Sequence, residues 1–263
     1  MPVQTGRVYG DLERPPLRAA SLRRALAPDG WRVEVVQTAG STNAAVTERA
    51  RAGEPAGLVL VAESQTAGRG RLDRSWLSPP RAGLTFSALV GPELAPSGWS
   101  WLPLLTGLAV AQALRSRAEL DAVLKWPNDV LVDGRKVCGV LAEVPAPGLA
   151  VLGIGLNVTT RSDELPHEQA TSLGLAGAAT TDRDTVLRSV LRSLRRVLED
   201  PVQSRADYLA LCDTVGRQVR LDLPDGRRLQ GSAERIDDDG RLVVSGTPYG
   251  AGDVVHLRPV SGA

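Results

Sequence analysis

Histidine and cysteine are scarce in this 263-residue sequence, and each scarcity excludes a kind of site. The two histidines, His167 and His256, are too few for a histidine-rich metal centre. The two cysteines, Cys138 and Cys212, lie far apart and form no CxxC pair. This spacing argues against a disulfide framework or a zinc site and favours a reducing cytosol.

Lysine is scarce as well. Only two of the 31 lysine and arginine residues are lysines, Lys125 and Lys136. Because arginine's planar fork and lysine's compact ammonium are not interchangeable, each lysine is a candidate position that requires a point charge. Aromatic residues make up only 3% of the chain, yet 43% hydrophobic and 23% charged residues are typical of a globular protein. This composition excludes intrinsic disorder.

Neither a strong net charge nor a long apolar run is present. The 31 basic residues nearly balance the 30 acidic ones, and a net charge of +1 argues against bulk electrostatic binding to nucleic acid or membrane. The longest apolar stretch, residues 99–114, contains Pro103 and is shorter than the roughly 18 residues of a membrane span. Residues 1–30 lack the apolar core of a signal peptide, so we expect a cytoplasmic protein.

Hydropathy periodicity predicts a large α+β domain followed by a small all-β domain. Strands are predicted at residues 31–37, 57–63, 84–90, 122–126, 130–132, 136–144 and 149–158, and helices at residues 40–53, 99–117, 182–198 and 202–211. After residue 212 come short strands separated by turns, at residues 215–223, 228–236, 241–245 and 254–257. We expect an N-terminal extension (residues 1–30), a main domain (residues 31–212) and a C-terminal β-barrel (residues 213–263).

A glycine- and arginine-rich loop is the first feature that indicates chemistry. It lies in a long polar segment, residues 64–83, where Arg69, Arg71 and Arg74 stand close to Gly68 and Gly70. Guanidinium forks beside a glycine backbone suit the binding of phosphate and carboxylate groups. From these residues alone a solvated basic loop is an equal alternative, whereas a nucleic-acid hook would need a wider basic surround.

Two further motifs lie at strand ends. The run KWPND, residues 125–129, sets Asn128 and Asp129 after a strand, where ligands of metal–phosphate groups often occur. A turn whose Asn and Asp side chains hydrogen-bond to the turn's own backbone explains the same residues. In RKVCGVLAE, residues 135–143, Lys136 begins an apolar strand, and Gly139 leaves room for another group against the backbone. A lysine that protects an edge strand from aggregation explains Lys136 equally.

Two shorter segments complete the set. GIGLNV, residues 153–158, lacks the third glycine of a dinucleotide-binding fingerprint. Its glycines indicate a bulged core strand or the close approach of a flat ligand such as a purine, whose edge Asn157 can bond. Ser41, Thr42 and Asn43 stand at a helix start and are most simply helix caps.

In this order, the five segments resemble the biotin protein ligase family. The matching segments are GSTN at residues 40–43, QTAGRGRLDRSW at 65–76, KWPNDV at 125–130, RKVCGVLAE at 135–143 and GIGLNV at 153–158. The resemblance spans residues 31–158, and the β-rich tail is similar to the family's SH3-like C-terminal domain. It implies a mixed-sheet catalytic domain, resembling the class II synthetase and biotin–lipoate ligase fold, that binds biotin and ATP.

The resemblance also implies a reaction. Family enzymes activate the biotin carboxylate with ATP to biotinyl-5′-AMP and transfer biotin to one lysine of the biotin carboxyl carrier domain of acyl-CoA carboxylases. By resemblance, Lys136 and Arg71 are catalytic, and Lys136 touches both the biotin carboxylate and the α-phosphate. The implied biotin-binding residues are Ser41, Thr42, Asn43, Gln65, Gly68, Arg69, Gly70, Arg71, Lys136 and Gly139. The implied ATP-binding residues are Arg69, Arg71, Arg74, Trp76, Asn128, Lys136 and Asn157, with Mg²⁺ on the ATP phosphates and Asn128 or Asp129 as its ligand.

Three other functions compete with this one. A lipoate or octanoate ligase or transferase would share the fold, but its glycine-rich, histidine-containing motif is absent. A nucleic-acid-binding module predicts salt-dependent DNA affinity without ATP–pyrophosphate exchange. An inactive carrier-binding protein is disfavoured by Lys136 and the loop arginines. Because the residues before the first strand are too few for a DNA-binding domain, we expect a monofunctional ligase that binds neither DNA nor membrane.

Overall fold

Two β-sheets form the framework of the protein, one of seven strands and one of five. The computed structural model describes residues 14–72, 74–91 and 96–257. The larger sheet consists of β1 (Arg32–Val36), β2 (Leu58–Ala62), β3 (Gly83–Val90), β4 (Val123–Lys125), β5 (Asp129–Val132), β6 (Arg135–Ala146) and β7 (Leu149–Asn157). Its order is β1-β2-β3-β7-β6-β5-β4, with β1 and β2 parallel and the other neighbouring pairs antiparallel.

Helices cover both faces of this sheet. They are α1 (Ala19–Leu26), α2 (Thr42–Arg51), α3 (Leu102–Ala113), α4 (Arg183–Glu199) and α5 (Pro201–Leu211). Strand β2 shows why both faces need cover, since all five of its residues are buried. Val59 and Val61 face the main core with α3 and α4, whereas Leu58 and Leu60 pack with α2 in a smaller core. The α+β fold class predicted from the sequence is confirmed.

The predicted helix at residues 99–117 has three parts. A 3-10 turn, Pro96–Trp101, leads into α3, and a wider π turn, Leu114–Ala118, follows it. Pro103 lies in the first turn of α3, where its missing N–H removes no helical hydrogen bond. Within residues 14–72, 74–91 and 96–257, no helix combines the length and apolar character that a membrane crossing requires.

The first described residues differ from the sequence prediction. Residues 1–30 were expected to form an extension, of which residues 1–13 lie outside the described part. Residues 14–30 contain α1, whose Leu22 and Leu26 are fully buried in the main core. These leucines stand four residues apart and therefore share one face of the helix. The prolines and arginines around them obscured this short apolar stripe in the sequence.

The smaller sheet follows α5. Its strands are β8 (Gln218–Asp222), β9 (Arg228–Ile236), β10 (Leu242–Val244), β11 (Thr247–Tyr249) and β12 (Asp253–His256), in the order β11-β10-β9-β8-β12. Strand β11 was not predicted, because Pro248 and the flanking Gly246 and Gly250 are typical of a turn. The predicted domain boundary at residue 213 falls between α5 and β8 and stays a prediction.

Two tryptophans join the smaller sheet to the main domain. The indole N–H of Trp126 donates to the Gly240 carbonyl at 3.0 Å, and that of Trp101 donates to the Asp238 carbonyl at 2.7 Å. Both rings are almost completely buried, and the turn that they contact joins β9 to β10. Because Trp126 belongs to the KWPND segment, the smaller sheet is attached directly to a motif that indicated chemistry.

Candidate active site

A cavity of about 470 Å³ opens above the α2 face of the larger sheet. Most of the site residues predicted from the sequence line it, although the segments that carry them are distant in the chain. The predicted residues in its lining are Ser41, Thr42, Asn43, Gln65, Arg69, Gly70, Arg71, Arg74, Trp76, Asn128, Asp129, Lys136, Gly139 and Asn157. The cavity therefore joins the five sequence segments into one site.

Small residues form the floor of this cavity. Directly opposed residues in neighbouring strands share a face, and one such row runs Thr85, Gly155, Gly139 and Asp129 across β3, β7, β6 and β5. The adjacent row contains Ser87 and Gly153. Since glycine carries no side chain, the two rows leave space directly on the sheet backbone.

The space over the glycines is filled by side chains of the protein itself. A Cβ atom at Gly155 would overlap the Trp76 ring, and one at Gly153 would overlap the Asn43 amide. A Cβ atom at Gly139 would lie 3.2 Å from both Trp76 and Lys136. One interpretation of the sequence placed a purine against Gly153 and Gly155, and in the structure the Trp76 indole lies against Gly155.

The start of α2 supplies a polar wall. Ser41 is its N-cap and accepts a hydrogen bond from the Ala44 N–H, as predicted. Thr42 donates from both its N–H and its hydroxyl to Gln65 Oε1, at 2.7 and 3.1 Å. Gln65 is placed there because residues 65–67 run beside residues 39–40 and hydrogen-bond to their backbone. The two segments GSTN and QTAG thus form one polar cluster.

The glycine–arginine loop folds back on itself. The Gly70 N–H donates to the Arg74 carbonyl at 2.7 Å, and the Trp76 N–H donates to the Gly68 carbonyl at 2.9 Å. Gly68 lies outside the cavity lining, and a Cβ atom there would overlap the Trp76 carbonyl. This predicted biotin-binding residue therefore allows the loop to close and bring Trp76 over the floor.

Each loop arginine has a polar partner on a different element. Arg69 lies 3.2 Å from Glu143 of β6, and Arg71 donates to Asn128 Oδ1 at 3.1 Å. Arg74 forms an ion pair with Asp253 of β12. Burial lowers the pKa of Arg71, whereas Asp253 and Asp129 raise it. Arg71 is only partly buried and its hydrogen-bond partner is a neutral amide, so its guanidinium can receive an anion.

The two lysines have different surroundings. Lys136 Nζ lies 2.6 Å from Asp129 Oδ1 and 5.9 Å from the centre of the Trp76 ring. Lys125 lies opposite Asp129 in the β4–β5 pairing, but it forms no ion pair within 4.0 Å among the described residues. Burial is the main cause that lowers the pKa of Lys125, and the charge of Lys136 adds to it. Lys136 is therefore the lysine that the structure brings to the cavity with a counter-ion.

Asn157 is connected to Lys136 through the segment at residues 169–171. The Asn157 amide donates to the Thr171 carbonyl at 2.9 Å, and the side chain is almost fully buried. The Thr171 N–H donates to the Lys136 carbonyl at 2.8 Å, while the Lys136 N–H donates to the Gln169 carbonyl at 2.7 Å. This segment holds the start of β6 beside the end of β7, which places both residues at the same end of the cavity.

Three further residues belong to the site, although no role was predicted for them from the sequence. Ser87 and Asp253 line the cavity, and Glu143 contacts two residues of its lining. Glu143 ends the quoted motif RKVCGVLAE, so its position was a usable signal. No signal in the sequence indicated Asp253, because only the packing of the smaller sheet brings this residue to the loop.

The side chains proposed as ligands of Mg²⁺ differ in their fit. The described residues contain no cluster of three or more histidine, cysteine, aspartate or glutamate side chains that could hold a metal alone. The Asn128 amide is occupied at both ends, since its oxygen accepts from Arg71 and its nitrogen donates to the Val140 carbonyl. Asp129 offers a carboxylate, and Mg²⁺ at nucleotide sites often uses one carboxylate with substrate phosphates. Asp129 is the better candidate of the two, because only its Oδ1 is paired, with Lys136, and the choice between Asn128 and Asp129 stays a prediction.

The protein is an α+β protein whose mixed sheet carries a cationic loop over a polar cavity. Residues 35–157 match the model of the biotin/lipoate A/B protein ligase family. The chain is 46% identical to the biotin–[acetyl-CoA-carboxylase] ligase of Mycobacterium tuberculosis, over 94% of this chain and 98% of that protein. It is 32% identical to the bifunctional ligase/repressor BirA of Escherichia coli, over 82% of this chain and 70% of that protein. The chain belongs to the biotin/lipoate A/B protein ligase family.

A solved structure supports the same assignment. The biotin protein ligase from Aquifex aeolicus, in complex with biotin and ATP, superposes with a TM-score of 0.73 at 30% sequence identity. The match covers 87% of this chain and 99% of that one. It therefore extends well beyond the segment that the family model matches.

Proposed function

We propose that this protein is a biotin protein ligase that converts biotin and ATP to biotinyl-5′-AMP and pyrophosphate, and then biotinylates a lysine of a biotin carboxyl carrier domain. The observation that supports this most strongly is the convergence of Lys136 and three loop arginines on one cavity with a polar wall. The 46% identity with a named biotin–[acetyl-CoA-carboxylase] ligase supports the choice of substrate and carrier. The need for ATP and the two free, buried cysteines favour the cytoplasm.

The first step must bring two anions together, the biotin carboxylate and the α-phosphate. Lys136 is the cation that we assign between them, because its ammonium lies on the cavity floor beside Gly139. Fixed cations lower the barrier since they are in place before negative charge develops in the transition state. Arg71 is the second catalytic cation that we assign, because its guanidinium lines the cavity and donates to a neutral amide.

The polar wall suits the ureido ring of biotin, which offers a carbonyl acceptor and two N–H donors. Ser41, Thr42, Asn43 and Gln65 supply hydroxyl and amide groups of both kinds at one end of the cavity. Arg69 and Gly70 border this end, Gly68 allows the loop to fold over it, and Gly139 gives the fused rings space on the sheet. We assign these residues to biotin.

The opposite end of the cavity suits ATP. We assign Arg71 and Arg74 to the phosphates there, Asn157 to the adenine edge and the Trp76 ring to a stacking contact, whereas Arg69 reaches the phosphates from the biotin end. Asn128 acts through Arg71, whose guanidinium it orients. Asp129 is the residue that would hold Mg²⁺, and the bound ion supplies charge neutralisation at the phosphates.

Biotin-dependent exchange of pyrophosphate into ATP tests the proposal, with lipoate and octanoate as parallel substrates. We expect exchange with biotin and none above background with either fatty acid. Exchange with lipoate or octanoate but not with biotin would assign the chain to the other branch of its family. Lys136→Met should abolish exchange, and Glu34→Gln, which removes an exposed carboxylate on β1, is the matched control.

A further inference from the structure

Glu143 is a charged residue at the cavity for which the reaction described above has no use. Its carboxylate makes two contacts, one through each oxygen. Oε2 accepts a hydrogen bond from Asn43 Nδ2 at 2.6 Å, and Oε1 lies 3.2 Å from Arg69 Nη2. One residue of β6 therefore joins the first turn of α2 to the first arginine of the loop.

The contact with Glu143 determines how the Asn43 amide is oriented. A carboxylate only accepts hydrogen bonds, so the Asn43 NH₂ group must face it. The amide oxygen then points to the other side, where it accepts from the Ser87 hydroxyl at 2.9 Å. Asn43 is only 4% exposed, and the absence of a Cβ atom at Gly153 provides the space for its oxygen.

The rest of the polar wall is oriented separately. The Ser87 hydroxyl lies 2.9 Å from the Thr42 hydroxyl, and Thr42 donates to Gln65 Oε1. Because Gln65 Oε1 also accepts from the Thr42 N–H, the Gln65 NH₂ group is directed elsewhere. Because the single Ser87 proton goes to Asn43 and the single Thr42 hydroxyl proton goes to Gln65, the orientation set by Glu143 ends at Ser87, and Gln65 is oriented by Thr42 alone.

We infer that Glu143 is the positioning residue for the biotin ring: it orients the Asn43 amide and holds Arg69 of the loop at the same end of the cavity. This inference rests on the proposed function, because it concerns how the same site recognises a cyclic urea. Glu143 itself does not contact biotin. It acts through Asn43 and Arg69, so its loss weakens biotin binding and leaves adenylate chemistry intact.

A polarity swap tests the inference. In Glu143→Gln the side chain has one acceptor and one donor, so it satisfies Asn43 or Arg69 but not both. In Asn43→Asp two carboxylates face each other. In the double variant, the introduced glutamine donates its NH₂ to the introduced aspartate and accepts from Arg69, while that aspartate still accepts from Ser87. Every hydrogen bond is restored with donor and acceptor exchanged between positions 43 and 143.

Biotin affinity by calorimetry and the exchange kinetics are the measurements. We expect Glu143→Gln to raise the KM for biotin about tenfold, the effect of one charge-assisted hydrogen bond, with kcat within about twofold of the parent. Asn43→Asp should weaken biotin binding about a hundredfold. The double variant should bind biotin at least about tenfold more tightly than Asn43→Asp alone.

The control is Glu34→Gln, because Glu34 also pairs with an arginine, Arg49, but lies outside the cavity. A double variant whose loss equals the product of the two single losses overturns the inference. So does a double variant that does not fold, since the swap leaves no partner unsatisfied. Absence of biotin-dependent exchange in the parent protein would instead overturn the proposed function.

Discussion

Gly155 provides the most direct test of how the cavity floor is built. Its neighbour across the gap is the Trp76 ring, which a Cβ atom would overlap. The backbone at Gly155 does not have positive φ, so alanine fits the strand conformation itself. Gly155→Ala therefore perturbs one thing, the distance at which Trp76 lies from the sheet.

The expected size of the effect follows from overpacking. A methyl group forced into a filled position destabilises it by about 1–3 kcal/mol. If Trp76 must occupy its observed position when biotin and ATP bind, the affinity for them falls roughly 5- to 140-fold. The Gly155→Ala substitution should leave the unfolding midpoint within a few degrees, because Trp76 is only partly buried and can shift toward the cavity.

A double-mutant cycle with Trp76→Leu identifies the cause. With the ring removed, Gly155→Ala should change the KM for biotin by less than about twofold. Gly91→Ala is the matched control, since a Cβ atom there has only ordinary contacts at 3.4 Å or more. Equal losses with and without the Trp76→Leu substitution would refute the reasoning, and so would an unchanged KM in Gly155→Ala alone.

Three further predictions concern charge. Lys136→Arg should lower adenylate formation at least about a hundredfold, because the lysine side chain already lies 3.2 Å from the Cβ position of Gly139 and the planar fork is larger; a near-normal rate in single-turnover assays would contradict this. Asp253→Asn should free Arg74, and we expect faster trypsin cleavage of the loop without ligand but not with biotin and ATP; an unchanged rate without ligand would argue against the contact. Burial and the charge of Lys125 lower the pKa of His256 to about 4. The folded protein therefore favours the neutral imidazole, and the stability that this contributes is complete above the ordinary pKa of about 6.5. It is lost as the pH falls from about 6.5 to about 4. Urea unfolding at pH 7 and pH 5 measures this effect. Between these pH values the free energy of unfolding should fall by about 1–2 kcal/mol more in the parent protein than in His256→Gln, after allowance for partial solvation of the ring. Equal losses of unfolding free energy in the two proteins would refute the prediction.

Much of the local structure could be predicted because the signals are local. The apolar runs of β3 and β7 predicted strands, and the small polar residues at positions 41–43 predicted the start of α2. The helix α1 was missed, since its stripe contains only two leucines within an arginine-rich stretch. Local patterns of this length carry too little information to outweigh neighbouring prolines.

The site was predicted as a set of residues, and its connections were not. The motif RKVCGVLAE was identified as a segment, but the hydrogen bond from Asn43 to Glu143 joins residues a hundred positions apart. Likewise the ion pair between Arg74 and Asp253 joins the loop to a strand at the far end of the chain. Contacts of this kind depend on strand order and register, which no single segment encodes.

By itself the sequence determined which functional groups are available to the site. These are the cations and amides, with two lysines among many arginines, and the glycines at alternate strand positions. It also determined the elements that carry them, because periodicity and capping act over a few residues. Only the tertiary structure decided which partner each group has. Lys136 pairs with Asp129, Arg71 donates to Asn128, and the Trp76 ring lies in the space above Gly155. The physical reason is that charge pairing and close packing depend on distances in space, and the sheet brings distant segments within a few ångströms.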